Sequence, residues 1–158
     1  MSDPFLDIRH ARSDWAEPDS VLANYVSLTD QLVEHIDEGT PFTLTVGGLV
    51  VDGDLIPQWR WFAELSELND HEDAYYVGMA EFVKEQSDLA HAAVKSRDVG
   101  TEITYRQYQA LAEPTRYIHL RNARISRPGQ VMDAPGKLWR GRLRDVTGWT
   151  PGRLDAAH

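Results

Sequence analysis

Two carboxylates are the first residues whose type and spacing could support catalysis. Asp52 and Asp54 lie two positions apart on one face of a predicted strand and flank Gly53. Paired carboxylates can carry out general acid–base catalysis, but the sequence pattern supplies no nucleophile or partner base for them. The pair is therefore interpreted as a solvated strand face, or as one side of a set of salt bridges with arginines elsewhere in the chain.

The histidines are the second group that could do chemistry, and none of the 6 stands in an HExxH or other paired metal-binding spacing. Only the run Asp70-His71-Glu72-Asp73 gathers potential ligands for a hard cation, and it is interpreted as a solvated loop between two helices. Neither a glycine-rich phosphate motif nor a nucleophile elbow is present. The sequence thus predicts no catalytic, metal-binding or cofactor-binding residue, and a hydrolase of unknown substrate is kept as an alternative.

The composition indicates a single domain with one hydrophobic core. The chain has 158 residues, of which 42% are hydrophobic, and this is ordinary for one folded domain. It has no cysteine, which excludes disulfides and thiol catalysis and fits a reducing cytosol. No apolar run reaches the roughly 18 residues of a membrane span, and the N-terminus lacks the apolar region of a signal peptide. We therefore expect a cytoplasmic protein with no membrane span.

Charge is distributed unevenly along a chain whose net charge is −9. Residues 1–113 hold 22 acids and 7 bases, whereas residues 114–158 hold 3 acids and 9 bases. An acidic chain repels nucleic acid at long range, but a basic end can still dock on an acidic partner. Nucleic acid is therefore disfavoured as a partner, and part of the charge asymmetry is expected to be satisfied by salt bridges within the protein.

The most regular part of the basic segment is the alternating run from Lys137 to Arg144. Side chains of a strand alternate between its two faces, so Arg140, Arg142 and Arg144 are predicted to share one face. Two interpretations of this arginine ladder are open. The ladder pairs with acids of the protein's own helices, or it is exposed and meets an acidic or polar surface of a partner.

A second strand is predicted over residues 117–125, where the alternation slips by one residue at Asn122. A β-bulge absorbs such a slip and bends the strand. Arg121 and Arg124 of this strand are predicted to extend the arginine surface. His119 alternates outward from the apolar positions and is expected at the surface of the sheet, where it would contact a partner rather than act as a general base.

A helix is predicted to begin at Asp19 or Ser20 and to end at Gly39. Apolar residues recur along it at spacings of three and four, which is typical of an amphipathic helix. The main stripe consists of Val21, Tyr25, Leu28, Leu32 and Ile36, and it is widened by Leu22, Val26 and Val33.

A β-hairpin is predicted next, over residues 40–57, with Gly47 and Gly48 in its turn. Gly53 in its second strand indicates sharp bending or a close approach of another backbone. A helical insertion follows over residues 58–112. Within this insertion, the segment from Thr101 onward suits either a short helix or a strand.

Trp59 and Trp61 stand two positions apart at the start of the helical insertion. They differ by about 200° around a helix axis, so they are not expected to face the same core. One of them, taken to be Trp59, is therefore predicted to contact a hydrophobic client.

These elements predict an α+β fold in a single domain, residues 1–158. The two β regions are separated by about sixty residues, yet they must pair, because an isolated hairpin is marginal in water. We expect a small, strongly bent antiparallel sheet, for which an SH3-like or Sm-like barrel is the closed form, with an N-terminal helix and an inserted helical pair. The predicted segments are an arm (1–18), a helix (19–39), a hairpin (40–57), a helical insertion (58–112) and the C-terminal strands (115–154).

Four blocks of the sequence resemble the gas vesicle accessory protein U (GvpU) family. They are Val51-Asp-Gly-Asp-Leu-Ile56, Tyr117-Ile-His-Leu120, Trp139-Arg-Gly141 and Gly148-Trp-Thr-Pro-Gly152. Members of that family have a bent hairpin, an acidic helical middle, an aromatic-Ile-His-Leu strand and a Trp-Arg-Gly segment in this order. The likeness covers residues 40–70 and 117–154.

The resemblance implies a non-enzymatic accessory protein without a cofactor or metal. Such a protein would bind gas vesicle shell proteins or other accessory proteins in the cytoplasm, at the gas vesicle surface, and would assist assembly, solubility or clustering of the vesicles. The sequence leaves homo-oligomerisation open. The residues predicted to contact a partner are Arg121, Arg124, Arg140, Arg142, Arg144, His119 and Trp59.

The sheet pattern and the arginine ladder also suit an Sm-like or SH3-like RNA-binding protein, which is kept as the first alternative. A protein that binds phosphates loses affinity linearly with the logarithm of the salt concentration. Titration of RNA binding with salt would therefore separate this alternative from a protein-binding function.

Overall fold

A computed structural model describes residues 17–32, 39–69, 74–130 and 136–154. The elements in chain order are helix α1 (Ser20–Asp30), strands β1 (Thr40–Val46) and β2 (Leu49–Leu55), helices α2 (Gln58–Leu68), α3 (Ala74–Asp98) and α4 (Tyr105–Ala112), strands β3 (Tyr117–Ser126) and β4 (Lys137–Arg142), a 3₁₀ helix (Leu143–Asp145) and strand β5 (Val146–Pro151). The predicted N-terminal arm as far as residue 16, and residues 33–38 of the predicted first helix, lie outside the described residues.

The strands form one antiparallel sheet in the order β4-β3-β2-β1-β5. β1 and β2 are the predicted hairpin, and its turn residues Gly47 and Gly48 both have positive φ, which a type I′ turn requires. β2 pairs with β3 although α2, α3 and α4 lie between them in the chain. The predicted α+β fold, with both β regions in one antiparallel sheet, is confirmed.

The bulge predicted in β3 is present at Asn122. The register of β3 shifts there against both β2 and β4, and Asn122 has a φ of 51°, a left-handed conformation that asparagine tolerates better than most residues. Opposite the bulge, a Cβ atom on Gly53 would lie 3.0 Å from the carbonyl oxygen of Arg121 and 3.2 Å from the Cα of Ala123. Gly53 is thus the site of the close backbone approach that the sequence indicated.

The sheet is curled strongly enough to bring its two edges together. In a flat sheet of this size β4 and β5 would lie about 19 Å apart, because neighbouring strands are spaced by about 4.8 Å. The 3₁₀ helix that joins them covers only about 8 Å, since such a helix rises by about 2 Å per residue. Among the described strands no ladder joins β4 to β5, so the sheet is curled and open.

The strand predicted over residues 137–144 ends early, at Arg142. Leu143 is fully buried, and its N–H donates to the carbonyl oxygen of Arg116 at 2.9 Å. The chain turns into the 3₁₀ helix at this point because it must cross from one sheet edge to the other. The prediction that Arg144 continues the strand face of the arginine ladder is therefore wrong.

The inner face of the curled sheet and a narrow face of α1 form the main core. α1 contributes Leu22 and Val26 to it. The residues of the predicted main stripe that the structure describes are exposed, and Ile36 lies outside the described residues. The predicted main stripe was wrong because helical spacing fits both this stripe and the face that carries Leu22 and Val26. Only the contact with the sheet determines which of the two faces is buried. The exposed fractions are 57% for Val21, 47% for Tyr25, 57% for Leu28 and 44% for Leu32.

Side-chain caps fix the starts of two helices. Asp19, one of the two residues predicted to cap α1, accepts the N–H of Leu22 at 2.8 Å. Thr104 and Gln107 form a capping box at the start of α4, in which each side chain accepts a backbone N–H of the other residue. The segment that the sequence left open between helix and strand is therefore a helix, and its cap is Thr104.

Helices α2 and α3 pack together and cover the outer face of the sheet at β3. Ile56, Trp59, Trp61, Phe62 and Val83 form a second apolar cluster there. Among the described residues no helix combines the length and the hydropathy that crossing a bilayer needs.

Replacing Gly53 with alanine is expected to lower the free energy of unfolding by about 1–2 kcal/mol, because the new methyl group must displace two backbone atoms. The matched control is Gly148→Ala in β5, where the nearest atoms to an added Cβ are the Thr45 side chain at 3.8 and 3.9 Å. This control should be neutral or slightly stabilising. Urea denaturation of both variants tests the expectation, and equal midpoints would contradict the close approach at Gly53.

Candidate partner-binding surface

Two of the predicted partner-contact arginines form salt bridges within the protein. Arg121 donates from Nη1 to Glu64 Oε1 of α2 at 2.9 Å. Arg124 donates to Asp52 Oδ1 of β2 at 2.9 Å. Asp54 in turn pairs with Arg153 at 2.8 Å. The aspartates flanking Gly53 thus take part in the salt bridges that were one interpretation of their spacing.

Arg140 is exposed, but the surrounding side chains hold it in place. Its guanidinium carbon lies 3.6 Å from the centroid of the Tyr117 ring, which is within the range of a cation–π interaction. Its Nε donates to His119 Nε2 at 3.1 Å. Arg140 therefore keeps its charge near the surface while part of its hydrogen-bonding capacity is used within the protein.

His119 does not lie at the sheet surface, and the prediction that it contacts a partner is wrong. It faces away from the inner core as the alternation required, but α2 covers that outer face, and the side chain is 1% exposed. The rings of Trp61 and Phe62 lie 5.5 and 6.2 Å from it. Burial, and secondarily the charge of Arg140, lower the pKa of His119 to about 3. The imidazole is therefore neutral and accepts the hydrogen bond from Arg140.

Trp59 is also buried, which contradicts its predicted role as a contact for a hydrophobic client. It is 8% exposed and Trp61 is 9% exposed. The indole Nε1 of Trp59 donates to the carbonyl oxygen of Leu32 at 2.7 Å, and Lys84 Nζ of α3 lies 5.0 Å from the ring centroid. Both sides of α2 are covered, one by the sheet and the other by α3, so the divergence of the two indoles does not expose either of them.

The remaining arginines, Arg142 and Arg144, are exposed at the end of β4 and in the 3₁₀ helix. Together with Arg116 and Tyr117 they line a cleft of about 470 Å³. Within the described part of the chain no salt bridge involves Arg116 or Arg142, and Arg144 has only Asp145 at 3.9 Å. We call the set Arg116, Arg142 and Arg144 the arginine cleft.

Arg116 is not among the residues that the sequence predicted to contact a partner. It stands before β3 in the chain, outside any alternating pattern. It lies beside the arginine ladder because it directly precedes Tyr117, which pairs with Arg142. The hydrogen bond from the Leu143 N–H to the carbonyl oxygen of Arg116 continues the β3–β4 ladder by one residue. The predicted start of a strand at residue 117 was therefore the signal that could have identified Arg116.

A second cleft, of about 620 Å³, adjoins the first across Arg116 and Tyr117. One wall is the end of α1, where other elements satisfy the terminal carbonyl groups that a helix leaves without partners. Ser87 Oγ donates to the carbonyl oxygen of Asp30 at 2.7 Å, and His91 Nδ1 lies 3.0 Å from the carbonyl oxygen of Gln31. These two contacts hold the end of α1 against α3 along this wall of the cleft.

The carboxyl group of Asp30 lies in this second cleft. It accepts the N–H of Gln58, the first residue of α2, at 2.8 Å. A helix N-terminus favours a negative charge, and this hydrogen bond lowers the pKa of Asp30, but desolvation by burial is the larger effect. The pKa is raised from 3.8 to about 7.

No group of three or more metal-ligating side chains is assembled among the described residues. The acidic run from Asp70 to Asp73 lies outside them.

The fold is that of a small α+β domain. Its curled antiparallel sheet carries helices on its outer face, and the arginine cleft is exposed at one end of β4. The family model described as gas vesicle protein GvpU-like matches residues 19–154 of the chain, and the chain belongs to this family. It is therefore a gas vesicle-associated protein, of a family of accessory proteins and not of a known enzyme family. Neither a curated protein nor a solved structure matches the chain.

Replacing Asp30 with asparagine is expected to reduce the pH dependence of stability. Between pH 4 and 7 the native protein keeps a proton on Asp30 that the unfolded chain releases, so this group lowers the free energy of unfolding as pH rises. From pH 5 to pH 7 the decrease should be on the order of 2 kcal/mol, and Asp30→Asn should remove it.

Urea denaturation at pH 5, 6 and 7 measures this effect. Asp88→Asn, which removes an exposed carboxylate of α3 paired with Lys84, is the control for the change from aspartate to asparagine. The same slope in the parent and in Asp30→Asn would contradict the raised pKa.

Proposed function

We propose that this protein is a non-enzymatic accessory protein that assists the assembly, solubility or clustering of gas vesicles. It acts in the cytoplasm, at the gas vesicle surface, by binding shell proteins or other accessory proteins. The family membership supports the association with gas vesicles. The observation that carries the binding role is the exposed arginine surface at the end of β4, in a chain whose net charge is −9.

The distribution of salt bridges supports this assignment of the surface. The protein has a large excess of carboxylates, and two arginines of β3 are paired with carboxylates of α2 and β2. Arg116 and Arg142, in contrast, take part in no salt bridge with any described residue, although the chain has more carboxylates than basic groups. Like charges close together repel each other unless a counter-charge is supplied, and a partner surface rich in carboxylates would supply it.

A charge-reversal variant tests the binding role. Arg142→Glu combined with Arg144→Glu should reduce capture of purified gas vesicle shell and accessory proteins at least tenfold, because repulsion replaces attraction at the surface. Arg140 is left unchanged, since its contacts with His119 and Tyr117 are part of the fold. Capture on immobilised protein, quantified by mass spectrometry, is the measurement.

The matched control is Arg97→Glu combined with Arg127→Glu, which makes the same change in net charge at exposed positions outside both clefts. It should capture the same proteins as the parent. Circular dichroism and thermal melting establish that both variants are folded. Undiminished capture by the variant at the β4 end would refute the surface, and absence of any captured gas vesicle protein with the parent would refute the function.

A further inference from the structure

β4 is an edge strand of the sheet, since it pairs with β3 and no described strand pairs with its other side. The 3₁₀ helix holds the start of β5 within about 8 Å of the end of β4, which is less than a further strand needs between them. A ligand at this corner therefore meets the exposed arginine side chains rather than the backbone of β4.

The side chains beside this edge are spaced for a particular pattern of charge. Arg140 and Arg142 lie two residues apart on the outer face of β4, which corresponds to about 6.8 Å along a strand. Acidic residues at every second position of an extended peptide have the same spacing and lie on the same side of it. Arg116 and Arg144 extend the positive charge past the end of β4, where the cleft of about 470 Å³ offers room for a terminal side chain.

The chemistry of the cleft favours carboxylates. A guanidinium group binds a carboxylate through two parallel hydrogen bonds, and such pairs are stronger and more specific than contacts of a point charge. Pro18, Pro114, Thr115, Tyr117 and Leu143 complete the lining. Within the described residues, the one salt bridge of the three cleft arginines is that of Arg144 with the neighbouring Asp145, at 3.9 Å.

We propose that the arginine cleft binds an extended acidic peptide of a partner protein, which places its carboxylates against Arg116, Arg142 and Arg144. This assignment rests on the proposed function, because it names the chemistry of the partner at the same surface. RNA is opposed by the net charge of −9.

The test uses the full-length protein and a fluorescein-labelled peptide of ten residues in which Glu and Val alternate. The matched peptide has Gln in place of every Glu, so it keeps the strand propensity and loses the charge. Fluorescence anisotropy at 50 mM salt should give saturable binding of the Glu peptide, at least tenfold tighter than that of the Gln peptide. Equal affinities, or no saturable binding of the Glu peptide, would overturn the proposal.

Variants locate the binding on the protein. Arg116→Ala and Arg142→Ala should each weaken binding of the Glu peptide at least fivefold. Arg127→Ala should leave it unchanged, because Arg127 stands just beyond the opposite end of β3, about 30 Å away at about 3.3 Å per residue. An equal loss in all three variants would show non-specific attraction and would overturn the site. A ten-nucleotide single-stranded RNA that binds more tightly than the Glu peptide, through the same arginines, would also overturn it.

The outcomes of this experiment and of the capture experiment are separable. If the parent captures gas vesicle proteins but does not bind the Glu peptide, the proposed function stands and the assignment of an acidic peptide fails. If the peptide binds through Arg116 and Arg142 but no gas vesicle protein is captured, the site stands and the proposed function fails.

Discussion

The structure depends on the curling of the sheet, to which the bulge in β3 opposite Gly53 of β2 contributes. The extra residue, Asn122, takes a left-handed conformation and shifts the register against both neighbouring strands. The absence of a side chain at Gly53 lets the two backbones approach more closely than a Cβ atom would allow. A bulge increases the local twist and bends the strand, which helps to bring β4 and β5 close enough for a short 3₁₀ helix to connect them. The pairing of β3 with β4 then places Arg116, Arg140 and Arg142 near one another.

The helices set the chemistry of the outer face of the sheet. α2 covers His119 and thereby keeps its imidazole neutral, which lets that side chain accept a hydrogen bond from Arg140. Arg140 is thus fixed by a buried group on one side and by the ring of Tyr117 on the other. A single ordered cation at the surface loses less conformational entropy on binding than a mobile one. The covering of the sheet by α2 therefore orders the exposed arginine next to the cleft.

The sequence predicted the fold class, the pairing of distant strands, the bulge and the role of Gly53, because each of these follows from local chemistry. Alternation, turn glycines and a phase slip are properties of short segments, and an isolated hairpin must find further strands. It did not predict which face of a helix or strand is covered. The main stripe predicted for the first helix contains the exposed Val21 rather than the buried Leu22, and His119 was expected at the surface. Periodicity defines the faces of an element but not what packs on them.

The same limit explains the candidate site. The sequence identified the arginines of β4 from their spacing, yet whether each was paired depended on residues far away in the chain. Arg124 meets Asp52, which is separated from it by 72 positions, and Arg121 meets Glu64. Arg116 precedes β3 and joins the cleft because the β3–β4 ladder continues by one residue, to Leu143. Charge composition predicted that salt bridges would form but not which arginines would be left out of them.

The division between paired and exposed arginines has a physical reason. Asp52 is almost fully buried, and a buried carboxylate without a counter-charge would be strongly destabilising. Arg124 must therefore remain with Asp52, and it is not available to a partner without a large cost in stability. The arginines at the β4 end are exposed, where water solvates them and an ion pair within the protein would add little. They can exchange water for carboxylates without disturbing the fold, as the proposed binding at the arginine cleft requires.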